Sequence, residues 1–345
     1  MAANAQAADL ETATAGLQDL RPTTFNLVTL ARNPVPSGGV VGSFAGHDGV
    51  ALRFARWEAT RGPRRGTACV FSGRTEFIEK YFETIADLRR RGFAVAIFDW
   101  RGQGGSERLL PNRRKGHVVN FADYDADLTR FMKDVVLPDC PPPYIALAHS
   151  MGGNILLRNA TVAGSWFDRM VLSAPMVAFH DDKIGFPQGL ARLYASTLGL
   201  GLLPTSRRYV MGGGPAPEEA SDFDSNPLTS DLERFMRNRQ MLEQAPHLAL
   251  GAPTVGWLRA AYKSIAMLND PIYPSQVRVP LLMVGAGDDR IVSSLAIEQF
   301  AARLKVGARV VIAGSRHEIL QERDDIRQRF WAAFDAYLGV GSAAA

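Results

Sequence analysis

The sequence predicts an α/β protein in which a mostly parallel sheet carries helices on both faces. Strand-length runs that are apolar throughout alternate with helical patterns, which is typical of parallel strands buried on both sides. The alternation stops between about residues 180 and 277, where helical patterns are broken by glycine and proline and no convincing strand is found. The sequence therefore predicts a helical cap inserted into the sheet domain.

The predicted strands follow one another along the chain. A turn at His47-Asp48-Gly49 leads into ALRFARWEA (51–59), which we expect to be the second arm of a hairpin. Helices are expected over about residues 76–91 and 121–137 and around the last two strands. Further strands are predicted at TACVFSG (67–73), FAVAIFDW (93–100), YIALAHS (144–150), RMVLSAP (169–175), PLLMVGAG (280–287) and RVVIAG (309–314).

These elements divide the chain into three parts. Residues 1–22 are expected to form a mobile tail, since the first 20 residues have no Lys or Arg and no continuous apolar run typical of a signal peptide. Residues 23–179 and 278–340 form the core, and residues 180–277 form the cap. Within the cap, residues 184–204 carry a single charge, Arg192. Two interpretations have equal weight: a helix packed on the core, or a lid whose apolar face lines an acyl pocket.

Composition excludes several classes of function. The 345 residues are 46% apolar and 21% charged, an ordinary globular balance. The basic clusters at 61–65, 89–91 and 113–115 are short and contain no aromatic residues, so they indicate a solvated surface and no nucleic-acid site, with weak attraction to an anionic membrane as the alternative. Cys69 and Cys140 predict neither a disulfide framework nor a metal site and fit a reducing compartment. The sequence contains no run of 18 or more apolar residues, so no transmembrane helix is expected.

The segment AHSMGG (148–153) places Ser150 between a predicted strand and a predicted helix. A turn this tight needs small residues two positions before and after its centre, and Ala148 and Gly152 meet that demand on either side of His149 and Met151. The turn would expose the hydroxyl and point the positive end of the helix at it. The alternative is an ordinary N-cap serine, so Ser150 alone supports catalysis only weakly.

A nucleophilic serine needs a base, and the base needs an orienting acid. His317 is the one histidine of six in a loop directly after a C-terminal strand, and Asp288 and Asp289 follow the preceding strand. The chain order serine, acid, histidine is the order required when these groups meet at the carboxyl edge of a parallel sheet. Either aspartate could orient the imidazole. Three weak patterns in the required order form a strong joint prediction.

An oxyanion hole requires two backbone N–H groups aimed at the developing charge. One is expected from Met151. The other is expected from Arg74, because Gly73 lets the backbone turn close to a substrate after an earlier strand. The loop DWRGQGGSERL (99–109) fails the dinucleotide pattern at Glu107 and is interpreted as structural.

With these motifs in place, the chain resembles the α/β-hydrolase superfamily, and within it the bacterial lysophospholipase and monoacylglycerol lipase group. The resemblance covers about residues 40–340. GRTEFIEKY and PTVGWL look particular to the lysophospholipase-like branch. The other segments that carry the resemblance are FDWRGQGGSER, GHVVNFADYDADL, AHSMGG, NPLTSDLERF, AGDDRIV and GSRHEIL.

The resemblance implies Ser150 as nucleophile, His317 as base, and the N–H groups of Arg74 and Met151 as oxyanion donors, with no cofactor and no metal. The family's acid precedes a basic-or-proline residue and two aliphatic residues, which favours Asp289. Two positions depart from the family pattern: Ala148 stands where relatives often have Gly, and Ser72-Gly73 where they have His-Gly. Ser72 lacks the imidazole that helps to hold the oxyanion loop in relatives.

The expected function is therefore a cofactor-free serine esterase that cleaves single-chain lipid esters, such as lysophospholipids or monoacylglycerols. The alternatives are a short-chain carboxylesterase, a thioesterase or a peptidase with the same triad, and a non-catalytic binding module with this fold. The expected partners are the small-molecule ester and a peripheral membrane contact, without nucleic acid. The expected location is the cytoplasm, with the inner membrane surface as a second site.

Overall fold

The computed structural model describes residues 25–60, 62–181 and 187–341. The expected mobile tail over residues 1–22 lies outside the described residues, as does the beginning of the 184–204 stretch. No helix within the described part of the chain is long and apolar enough to cross a membrane.

Eight strands form one sheet in the order β1-β2-β4-β3-β5-β6-β7-β8. The β1–β2 and β2–β4 pairs are antiparallel, and every later pair is parallel. The predicted fold class, a mostly parallel sheet, is therefore confirmed. The strands are β1 (Val40–Ala45), β2 (Ala51–Trp57), β3 (Thr67–Phe71), β4 (Ala94–Phe98), β5 (Tyr144–His149), β6 (Phe167–Ser173), β7 (Leu281–Ala286) and β8 (Gly307–Ile312).

Helices connect the parallel strands and fill the chain between β6 and β7. The expected helix over 121–137 contains a π-helical segment at Met132–Val136. Side chains of Asp231, Thr254 and Ser293 cap three helices by accepting N–H bonds from the first turn. The helices are α1 (Phe82–Arg90), α2 (Ala122–Phe131), α3 (Leu137–Asp139), α4 (Met151–Asn159), α5 (Gln188–Leu198), α6 (Leu232–Gln244), α7 (Val255–Leu268), α8 (Tyr273–Gln276), α9 (Ser294–Ala301) and α10 (Asp324–Leu338).

The sheet has an apolar core on each face, which explains why the inner strands β3, β4 and β7 are buried at every position. In β3, Cys69 and Phe71 pack into the core on the face of α2, α4 and α7. Their neighbours Ala68 and Val70 pack into the core on the face of α1 and α10. This alternation of side chains between two covered faces is the pattern of a doubly covered parallel sheet.

The chain between β6 and β7 has no strand among its described residues. Its described extended pairings are two isolated bridges, Phe179 with Val292 and Tyr209 with Thr254. Helix α5 buries Ala191 and Ala195 in the same core as α7, and leaves Leu190 and Leu193 exposed. The limits of the cap at residues 180 and 277 stay a prediction.

Candidate active site

Ser150 lies at the carboxyl end of β5, directly before α4, and its backbone is strained. Its φ of 50° and ψ of −111° lie in a region that residues with a Cβ rarely adopt. The turn is held from both sides, because the Ser150 N–H donates to the Ser173 carbonyl (3.0 Å) and the Ser150 carbonyl accepts from Met176 (3.0 Å). The hydroxyl makes no helix-capping bond. A strained turn that frees the hydroxyl is the geometry of a nucleophile elbow.

The small residues of the elbow have direct steric causes. A Cβ on Gly152 would lie 2.4 Å from the Phe71 carbonyl oxygen, and one on Gly153 would lie 2.7 Å from the Cβ of Pro175. Ala148, where the resemblance often has Gly, is fully buried in β5 without disturbing its pairing to Phe71. Glycine is therefore required at positions 152 and 153, after the serine, whereas the methyl group of Ala148 fits before it.

The structure brings Ser150, His317 and Asp289 together, although they are far apart in sequence. The Nε2 atom of His317 lies 3.0 Å from the Ser150 hydroxyl, and its Nδ1 lies 2.8 Å from Oδ2 of Asp289. The other Asp289 oxygen accepts N–H bonds from Ile291 (2.8 Å) and Val292 (2.9 Å). These two bonds explain why the residues after the acid matter, since they fix the carboxylate that faces the ring.

Asp288, the alternative acid, is not part of this chain of contacts. Its side chain is exposed, and its backbone N–H donates to the Ser315 carbonyl at 2.8 Å. That bond ties the loop after β7 to the loop that carries His317. Geometry thus assigns the imidazole contact to Asp289.

Burial sets the protonation of the pair. It lowers the pKa of His317 below its usual range, and the Asp289 carboxylate offsets only part of that effect. Burial acts on Asp289 in the opposite direction, but His317 and the two N–H donors outweigh it and hold the pKa of Asp289 below its usual value. At neutral pH the imidazole is therefore neutral beside a carboxylate, the state in which Nε2 can accept a proton.

The loop after β3 lies beside the elbow because β3 and β5 are paired parallel strands. Met151 is the first residue of α4, so its N–H has no intrahelical acceptor. No hydrogen bond among the described residues uses the N–H of Arg74. The two N–H groups expected at an oxyanion hole are both available on neighbouring loops.

The loop after β3 is held by side chains that no sequence pattern identifies. The Trp100 indole N–H donates to the Ser72 carbonyl (2.9 Å), and the Gln103 amide donates to the Gly73 carbonyl (2.7 Å). Both belong to DWRGQGGSERL, for which the sequence predicts only a structural loop. Glu76 also accepts the Gly73 N–H, and it contacts His149 at 3.1 Å. Glu76 belongs to the GRTEFIEKY segment, and the sequence alone predicts no role for the three charged side chains that follow Arg74 there.

A cavity of about 780 Å³ lies next to Asp289. Its lining includes Asp289 and Ser293 from the core and Gln188, Arg192 and Ile265 from the helices between β6 and β7, but neither Ser150 nor His317. The cap interpretation of an acyl pocket stays a prediction. Within the described residues, no group of three or more His, Cys, Asp or Glu side chains is arranged to hold a metal ion.

Comparison with known proteins assigns this arrangement to a family. The family model described as serine aminopeptidase, S33, matches residues 62–324. Lysophospholipase L2 of Escherichia coli (strain K12) is 33% identical over 300 residues, which cover 82% of this chain and 83% of that protein. A monoacylglycerol lipase of Mycolicibacterium smegmatis is 30% identical over 140 residues, covering 40% of this chain and 48% of that protein.

Solved structures show the same fold at lower identity. A soluble variant of the monoglyceride lipase of Saccharomyces cerevisiae, in complex with a substrate analog, superposes with a TM-score of 0.69 at 20% identity, covering 88% of this chain and 97% of that one. The monoacylglycerol lipase of Paleococcus ferrophilus superposes with a TM-score of 0.65 at 17% identity, covering 84% and 99%.

Proposed function

Because the chain belongs to the serine aminopeptidase S33 family of α/β-hydrolases, with relatives named lysophospholipase and monoacylglycerol lipase, we propose that it is a serine esterase of single-chain lipids. The observation that carries the proposal is His317, whose two ring nitrogens contact the Ser150 hydroxyl at 3.0 Å and the Asp289 carboxylate at 2.8 Å. The substrate would be a lysophospholipid or a monoacylglycerol.

The reaction would proceed through an acyl-enzyme. His317 takes the Ser150 proton while Oγ attacks the ester carbonyl, and the N–H groups of Arg74 and Met151 stabilise the oxyanion. The protonated imidazole then gives its proton to the leaving alcohol. Water, deprotonated by His317, cleaves the acyl-enzyme and releases the fatty acid. Asp289 holds the ring and stabilises its charged form throughout.

The mechanism is tested at the nucleophile. A Ser150→Ala protein should lose several orders of magnitude in kcat, and a fluorophosphonate should label the wild-type protein on Ser150 but not the variant. Ser206→Ala is a matched control, because Ser206 is also buried and its hydroxyl only donates to the Leu203 carbonyl at 2.7 Å. Turnover by Ser150→Ala at the wild-type rate would refute the triad, and a wild-type protein that no fluorophosphonate labels would favour a binding module.

The substrate is tested by comparing kcat/KM across ester classes. Lysophosphatidylcholine and monoacylglycerol with long acyl chains should be cleaved faster than short nitrophenyl esters, acyl thioesters and aminoacyl anilides. The last of these substrates addresses the aminopeptidase activity in the family description. Preference for a short ester, a thioester or an anilide would replace the lipid proposal by the corresponding alternative on the same triad.

A peripheral membrane contact is a second part of the proposal. Helix α5 and the chain after it expose large apolar side chains, including Leu193 (60% exposed), Leu202 (100%) and Met211 (72%). Apolar side chains on a surface helix can enter the lipid boundary, where single-chain esters reside. Sedimentation with phosphatidylglycerol vesicles should recover wild-type protein and release the Leu193→Asp/Leu202→Asp variant. Equal sedimentation of the two proteins would contradict the contact.

A further inference from the structure

Six polar side chains are buried together behind the proposed triad, and no step of the proposed reaction uses them. We call them the rear cluster; none is more than 5% exposed. Burying charge is costly unless the charges are paired, so such a cluster calls for a role. Three of its members belong to GRTEFIEKY, one of the two segments that look particular to the lysophospholipase-like branch. The cluster consists of Glu76, Lys80, Tyr81, His149, Glu219 and Glu318.

Glu76 is the centre of the rear cluster. Its Oε2 atom accepts the Gly73 N–H and the Tyr81 hydroxyl (2.6 Å), and it also faces Nδ1 of His149 (3.1 Å). Two fixed donors, the Gly73 N–H and the Tyr81 hydroxyl, converge on this oxygen. Burial raises the pKa of Glu76, but His149 and Lys80 outweigh burial and hold that pKa below its usual range, so the carboxylate is ionised. The Gly73 N–H belongs to the residue directly before Arg74. Glu76 therefore fixes the backbone from which a proposed oxyanion donor projects.

His149 links the same carboxylate to the base. Its Nε2 atom lies 3.2 Å from the main-chain carbonyl of His317, and since a carbonyl only accepts, Nε2 carries a proton. Nδ1 faces the ionised Glu76, so it carries a proton as well, and the ring is an imidazolium. Burial lowers the pKa of His149, but Glu76 outweighs burial and places that pKa above its usual value. Because His149 directly precedes Ser150, one ion pair contacts three loops of the site.

Lys80 extends the rear cluster to the cap. Its ammonium lies 2.6 Å from Glu318, 3.3 Å from Glu219 and 3.7 Å from Glu76. Glu318 follows the proposed base, and Glu219 belongs to the chain between β6 and β7. Burial raises the pKa of Glu318, and the nearby Lys80 ammonium offsets only part of that rise. The ammonium thus faces Oε1 of Glu76, whereas His149 faces Oε2.

We infer that the Glu76–His149 ion pair holds the oxyanion loop against the elbow and the His317 loop, which makes Glu76 a positioning residue for the oxyanion hole. The inference rests on the proposed function. Glu76 touches no reacting atom. It sets where the Arg74 N–H lies relative to that of Met151, so its effect belongs to the tetrahedral state and not to substrate binding.

The test replaces the charge and keeps the shape. Glu76→Gln should lower kcat by about 10- to 100-fold with KM changed by less than about threefold, since loss of one oxyanion donor costs about 100- to 1000-fold and a displaced donor costs less. A trifluoromethyl ketone, whose hemiketal oxygen uses the same N–H groups, should lose affinity by the same factor as kcat. An ether-linked lipid, which forms no oxyanion, should bind unchanged.

A matched control separates positioning from stability. The control is Glu79→Gln. Glu79 lies three residues after Glu76 and forms a fully buried ion pair with Arg53 at 2.7 Å. The substitution should lower the unfolding midpoint and leave kcat unchanged. If Glu76→Gln does not fold, Tyr81→Phe decides the question, because it removes only the 2.6 Å hydroxyl bond to Glu76 and should lower kcat by about threefold or more, with a parallel loss of ketone affinity.

Two results would overturn the inference: a folded Glu76→Gln or Tyr81→Phe protein with the wild-type kcat, or a fall in kcat without weaker ketone binding. Failure of the proposed function is distinguishable from either. If wild-type protein cleaves none of the esters, the rate at which a fluorophosphonate labels Ser150 still reports on the oxyanion loop, because the phosphonyl oxygen uses the same donors. Equal labelling rates in wild-type and Glu76→Gln protein would then refute the positioning role.

Discussion

Gly152 is the closest approach between the elbow and the end of β3. A Cβ there would lie 2.4 Å from the Phe71 carbonyl oxygen and 2.7 Å from that of Ser72. Both atoms are backbone, so no side-chain rotation relieves the contact. Ordinary contact begins near 3.4 Å, and the first turn of α4 must therefore move about 1 Å from β3 to admit a methyl group. That movement separates Met151 from the loop that carries Arg74.

We expect Gly152→Ala to lower kcat by about 100-fold, because a 1 Å displacement of a reacting geometry costs about that factor. Overpacking should also lower the free energy of unfolding by about 1–3 kcal/mol. Steady-state hydrolysis of a nitrophenyl ester measures the first effect, and urea unfolding measures the second. Gly285→Ala is the control, since its Cβ would meet nothing closer than 3.5 Å. A folded Gly152→Ala protein with kcat within threefold of wild type would refute the reasoning.

Three further outcomes follow from the site and its supports. Asp289→Asn should lower kcat by about 10⁴-fold, whereas Asp288→Asn should change it by less than about twofold; equal losses in steady-state assays would contradict the assignment of the acid. Since the protonated imidazole is inactive and burial lowers the pKa of His317, the acid limb of kcat/KM should have its midpoint below about 6.5, and a pH profile with a higher midpoint would contradict that environment. The side chain of Glu83 is 25% exposed and is paired with Arg327, Arg234 and Arg237. Glu83→Gln should therefore lower the free energy of unfolding by about 2 kcal/mol and leave kcat unchanged. Urea unfolding that shows no loss of stability would mean that these ion pairs do not stabilise the fold.

The sheet could be predicted from the sequence because its inner strands are buried on both faces. β3, β4 and β7 are buried at every position and, apart from Thr67, carry no polar side chain. A short apolar run between helical patterns admits few other structures. The edge strand β1 is mostly exposed, so its own residues carry little pattern, and only the turn before β2 implied it. The π-helical segment at Met132–Val136 has no separate pattern of apolar residues, and the sequence predicted a continuous helix there.

The three residues of the proposed triad could be located because each follows a strand and parallel strands end at one edge of the sheet. The choice between Asp288 and Asp289 could not come from position, since both lie in one turn. It depends on the N–H groups of Ile291 and Val292, which reach only one carboxylate. The rear cluster could not be located at all, because Glu76 and His149 are 73 residues apart and their contact requires the pairing of β3 with β5.

Ser72 shows how the loop after β3 is held without the imidazole that the family resemblance leads us to expect at this position. Its hydroxyl is buried and has no hydrogen-bond partner within the described part of the chain, so the side chain at position 72 does not hold the loop. The loop is fixed instead through its backbone: Trp100 binds the Ser72 carbonyl, Gln103 the Gly73 carbonyl, and Glu76 the Gly73 N–H. Because these bonds fix the peptide groups on both sides of Gly73, the direction of the Arg74 N–H follows from them. The imidazole that supports this loop is that of His149, which reaches the loop through Glu76.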